Sequence, residues 1–231
     1  MLTPNRIGEY GGRILYVEKE HRIKAISLSL VGSMSQLLVT MVMGCTGLLY
    51  LRYLSHNNSG AHAVLPEFWG DVLIYLSIGL TFILLLFYLR LGWLVRTMER
   101  LPSLHKVVNY IRVLDEFNNK HLVQILFLSF IRYVVFVLQY VMMLQLMEIE
   151  IPGWLCFWLI TAFYLVMAVA PSIGFIELPL RISASWVLLK LYTSNELGVS
   201  TASLGIWLIN IVVPAIIGSL LILSIKIIKE K

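Results

Sequence analysis

A glutamate and an arginine four residues apart share one face of an α-helix, where each neutralises the other and either can exchange its partner for a charged ligand. The chain holds this pair twice, each time behind a proline: Pro4 with Glu9 and Arg13, and Pro171 with Glu177 and Arg181. The second copy lies between long apolar runs, where a bare charge is costly and an ionisable residue marks a functional site by default. A repeated motif of this kind is a hint of transporter architecture. Arg132 is a further charge inside an apolar run, and Gln139 and Asn210 are polar groups in similar surroundings. The chemistry these residues offer is electrostatic. Guanidinium presents a bidentate donor fork to phosphate, and interrupted helices expose backbone N–H groups that also favour anions. A phospholipid head group is an anion carried on apolar tails, so lipid handling fits better than conduction of inorganic ions.

Covalent catalysis finds little support. The chain has no GxSxG elbow, no HExxH and no glycine-rich phosphate loop. His56 and His62 fall near Glu67 and Asp71 in a loop, where solvated histidines are the ordinary reading. Cys45 and Cys156 lie within apolar spans and read as small buried hydrophobes. No enzymatic activity, metal or cofactor is therefore expected. Two alternatives stay open: a membrane-embedded lipid transferase with Glu177 as its acid, and a non-transporting partner subunit of an envelope-lipid assembly.

The elements that must position these residues are membrane spans. Only 13% of the 231 residues are charged and 59% are hydrophobic, against roughly 25% charged in soluble domains. Mean hydropathy is +0.84. The expected fold is all-α: one polytopic transmembrane bundle over residues 1–231, with spans near 25–51, 68–94, 122–147, 154–170 and 200–225. Residues 171–193 form a sixth segment that Pro171, Gly174 and Pro179 break; crossing and re-entry both remain open for it. In the first span Ser29, Ser33, Gln36 and Thr40 recur at helical spacing and are expected to face the protein interior. Trp69 and Trp93 are expected as interfacial anchors of the second. Pro214, four after Asn210, is expected to kink the last.

Basic residues concentrate in 1–24, in the connection at 95–121 and in the tail. That pattern predicts a cell inner (plasma) membrane protein, multi-pass, with N- and C-termini and the 95–121 connection cytoplasmic. Val107, Val108, Ile111 and Leu114 mixed with charges in that connection suit either an amphipathic surface helix or a polar linker helix. The +5 net charge follows these loops and does not point to nucleic acid.

Residues 3–9 with Arg13 resemble the Pro-x-Arg-x-Gly-Glu-x-x-x-Arg signature of the flippase-like transmembrane family of lysylphosphatidylglycerol synthases, the membrane half of the multiple peptide resistance factor. Pro171 to Glu177, then Ala202-Ser203 and Pro214-Ala215-Ile216-Ile217-Gly218, look like that family's closing block. The helix bearing Arg132, Gln139 and Tyr140 is also typical of the group. The resemblance implies a stand-alone lipid-translocating or lipid-binding half without the aminoacyl-transferase domain. It also implies membrane helices ahead of the first motif, so the chain is expected to be N-terminally truncated. Glu9, Arg13, Arg132, Gln139, Glu177, Arg181 and Asn210 are expected to line one polar cavity for the lipid head group. The expected partners are a phospholipid or lipid-linked substrate, the bilayer, and either further copies of the chain or a separate lipid-synthesis enzyme.

Overall fold

The computed structural model describes residues 22–57, 67–89, 119–169 and 176–220. Every regular element among them is helical. The helices are α1 (Arg22–Asn57), α2 (Glu67–Leu89), α3 (Asn119–Leu146), α4 (Gly153–Val169), α5 (Glu177–Leu189) and α6 (Glu196–Trp207). A π-helical turn, Leu208–Val212, carries α6 onward to residue 220. Four stretches are long and apolar enough to cross a membrane: Leu28–Asn57, Asp71–Leu89, Lys120–Leu146 and Glu196–Leu220. The chain is thus that of an α-helical membrane protein. The other two helices are short. The 17 residues of α4 and the 13 of α5 rise about 25 and 20 Å, less than the roughly 30 Å of a hydrocarbon core.

The tightest packing is between α1 and α4, and small residues permit it. A Cβ on Gly44 would overlap the Leu165 side chain, and one on Gly47 would overlap Thr161 Oγ1 and approach the Trp158 carbonyl at 3.1 Å. Tyr50 then stacks on Trp158 at 5.3 Å between ring centroids. Tyr88 fixes α2: its hydroxyl accepts from Ser35 at 2.8 Å and donates to the Leu122 carbonyl at 2.7 Å, joining α1, α2 and α3. Cys45 and Cys156 are buried free thiols, as their apolar settings led one to expect.

The end of α3 is a Schellman motif. Glu148 takes the left-handed conformation at φ 57°; its N–H reaches the Gln145 carbonyl and the N–H of Ile149 reaches that of Leu144. At the start of α6, Asn195 caps the helix by accepting from the Gly198 N–H at 2.9 Å, and its Nδ2 donates to the Met147 carbonyl at 3.3 Å. The turns at 147–152 and 190–195 therefore share one end of the bundle. Tyr88 and Leu122 mark the other end.

Two expectations change. The polar stripe of α1 is not wholly inward: Thr40 is buried, Ser29 and Gln36 are half-buried, and Ser33 is exposed. Ser33 and Thr40 donate to the carbonyls of Ser29 and Gln36 one turn back. Pro179 also does not interrupt its segment. It is the third residue of α5, where the helix has no partner for an N–H in any case. The break expected at Pro171 and Gly174 lies outside the described residues, as do Trp93 and nearly all of the 95–121 connection, and nothing is described of the Trp69 side chain.

Gly47→Val is expected to lower the thermal unfolding midpoint in detergent by several degrees, since backbone and Thr161 both obstruct the new side chain. Gly79→Ala, where a Cβ meets nothing within 4 Å, is expected to leave it unchanged or raise it.

Candidate functional site

Glu177 opens α5, where the helix dipole favours a carboxylate. Arg181 follows one turn later, and its Nη2 donates to Glu177 Oε1 at 3.2 Å. The two side chains keep only 15% and 10% of their exposure, so this is a buried ion pair. The guanidinium stands 5.8 Å from the centre of the Phe163 ring of α4. Phe163 packs on Tyr140 at 5.3 Å and on Tyr164 at 5.4 Å, and Tyr164 meets Tyr133 edge-on at 5.9 Å. An aromatic wall from α3 and α4 therefore backs the charge.

Above the pair lies a knot of three hydroxyls, one from each of α3, α5 and α6. Tyr140 Oη is 2.9 Å from Ser185 Oγ and 2.6 Å from Ser203 Oγ, and the serines are 2.8 Å apart. All three residues are fully buried. Ser185 and Ser203 can also donate to the carbonyls of Arg181 and Val199, so the group is closed on itself.

The ion pair lies part-way along α3. Glu177 is two turns from Ser185, about 12 Å along the axis, whereas α3 continues about 30 Å past Tyr140 to its own start. Two buried donors near this level are unfilled. Arg181 Nε and Tyr133 Oη make no hydrogen bond, which is rare for buried polar atoms and calls for an explanation. Both need an acceptor.

The expected residues thus come together in two pairs and one outlier. Glu177 meets Arg181. Gln139 accepts from Asn210 Nδ2 at 3.2 Å, tying α3 to the π-helical turn. That turn forms where Pro214 offers no N–H, and the N–H of Val213 reaches back five residues to the Leu208 carbonyl. The expected kink at Pro214 is in this way a π-turn just ahead of it. Arg132 joins neither pair. It is exposed, with its guanidinium 5.2 Å from the Phe136 ring centre. The helical advance of 100° per residue explains this: Tyr133, Val137, Tyr140 and Leu144 hold the interior face, and Arg132 and Gln139 occupy its outer edge. Among the described residues, Arg132 thus stands apart from the two pairs. Glu9 and Arg13 lie outside the described residues.

Sequence reasoning missed Tyr133, Ser185 and the donors left open beside Arg181. The signal for the first was present: Tyr133 and Tyr140 are seven apart, one position beyond Arg132 and Gln139, and share one helix face. At the far end, Arg52 Nη2 meets the Asp71 carboxylate at 2.8 Å, half in solvent, where such a pair contributes little.

Comparison with protein-family models, with curated proteins and with solved structures finds no match to this chain. What fold and site define together is a class: an α-helical membrane protein with a buried acid–base pair at the start of a short helix.

Tyr140→Phe should lower stability by about 1 kcal/mol, the worth of the hydrogen bonds it removes, because Ser185 and Ser203 still bond each other. Chemical denaturation in mixed micelles measures it. Ser203→Ala in the Tyr140→Phe background should add less than it does in the unchanged chain.

Proposed function

We propose that this protein binds a phospholipid or related lipid-linked anion and carries its head group across the bilayer, with Arg181 contacting the phosphate. The observation that carries this reading is the buried Glu177–Arg181 pair with Arg181 Nε unfilled. A guanidinium has five N–H donors; Glu177 Oε1 takes one at 3.2 Å and the Tyr164 hydroxyl stands beside the group as a second partner, while Nε has none. A phosphate takes two in parallel. Glu177 keeps the charge compensated when no lipid is bound, and on exchange it is free to accept a cationic head-group nitrogen such as that of a lysyl ester.

The membrane setting supports the same reading. If Lys120–Leu146 spans the bilayer, the pair stands near mid-depth, where a charge is retained for function. The described flanks of the basic 95–121 connection lie at the end opposite the turns at 147–152 and 190–195. The positive-inside rule then places both flanks in the cytoplasm and those turns outside, in a multi-pass inner (plasma) membrane protein. The resemblance to the flippase-like family points the same way.

The test is transfer of fluorescent phosphatidylglycerol between leaflets of proteoliposomes, read by quenching of the outer leaflet. Arg181→Gln is expected to slow transfer at least about tenfold, the equivalent of one charged hydrogen bond. Glu177→Gln is expected to destabilise the protein by about 3 kcal/mol, more than the double variant, because it strands a buried guanidinium. Unchanged transfer and unchanged stability in all three variants would falsify the reading.

A further inference from the structure

Arg132 presents a problem the ion pair does not. It lies within one residue of the middle of the Lys120–Leu146 span, on its exposed side. Among the described residues no carboxylate pairs with it, and its one recorded partner is the Phe136 ring. A cation–π contact softens the cost of the charge and leaves it uncompensated. The hydrocarbon surface is about 15 Å away from mid-depth, too far for an arginine to reach by snorkelling. Lipid phosphates at rest therefore do not cover it. The surrounding strip is apolar: Leu128, Ile131, Val135 and Leu138 are all exposed. One cation centred in such a strip needs a countercharge at the same depth.

We propose that this strip of α3 docks a transmembrane helix of a different membrane protein, one that carries an aspartate or glutamate at mid-depth opposite Arg132. Charge complementarity selects that occupant over a second copy. Two copies meeting symmetrically here would set Arg132 against Arg132. Among the described residues no carboxylate stands at that level: Glu177 is engaged inside, Asp71 holds Arg52, Glu67 and Glu196 open their helices, and Glu148 and Glu150 lie in the 147–152 turn. An acid-bearing helix pairs the charge and removes apolar surface from lipid in one contact, and polar pairs of this kind fix both partner and register between membrane helices.

The test places a photoreactive amino acid at Val135 in the full chain in its native membranes and sequences the adduct. The expected adduct is a helix of another protein with a carboxylate within one turn of the cross-link. Arg132→Leu is expected to reduce its yield at least about tenfold, whereas Arg132→Lys retains it. Arg132 is exposed, so an unchanged unfolding midpoint accompanies the loss and separates it from misfolding. Adducts only with lipid or with this chain's own peptides overturn the proposal. So does a partner helix without a carboxylate, a yield indifferent to Arg132→Leu, or no protein adduct at all. Lipid transfer by the purified chain is independent of this outcome.

Discussion

A guanidinium withdrawn from water must find its counterions and acceptors within the protein, and much of the described bundle follows from how Arg181 does so. Removing either partner of a buried pair leaves a charge whose desolvation nothing offsets. Glu177 supplies the countercharge one turn away, and Phe163 supplies the face of a ring. The carbonyl of Arg181 lies beside Ser185, whose hydroxyl meets those of Tyr140 and Ser203. Through that chain of contacts the charge is tied to the register of α3, α5 and α6. Shifting α5 by one residue would turn both the arginine and the serine away from their partners.

The short helices follow the same constraint. Because α4 and α5 are too short to cross a full hydrocarbon core, the first turn of α5, which carries the ion pair, lies part-way along α3. Both outer ends of the α4–α5 pair return to the end that holds the 147–152 and 190–195 turns. The described parts of 154–170 and 171–193, α4 and α5, therefore begin and finish at one end, and neither is long enough to cross alone. The aromatic residues of α3 and α4 border the ion pair at this depth.

Much of this was legible in the residues. Apolar length placed the helices within a few positions, because hydrophobicity over twenty residues is a strong signal. The i, i+4 spacing identified Glu177 with Arg181, a local relation that needs no tertiary knowledge. Arg132 and Gln139 were harder. Residues 132 and 133 differ by 100° around α3, so which of two neighbouring seven-residue pairs turns inward depends on where α4 and α6 pack. Aromatic bulk decided it, with Tyr133 and Tyr140 inside. Pro179 misled because proline breaks a helix interior and is harmless in a first turn. Pro214 acted in the expected place by another route, a π-turn that also brings Asn210 to Gln139. The triad of Tyr140, Ser185 and Ser203 joins residues up to 63 positions apart, and no local pattern announces it.

The central claim is that Arg181 waits for the phosphate of a lipid. Native mass spectrometry of the purified protein tests it most directly, with lipids identified after ejection from the intact ion. An anionic phospholipid is expected to remain bound to the unchanged chain and to be lost from Arg181→Gln, with the protein still folded. Retention of the same lipid by both proteins, or its absence from both, would contradict the claim.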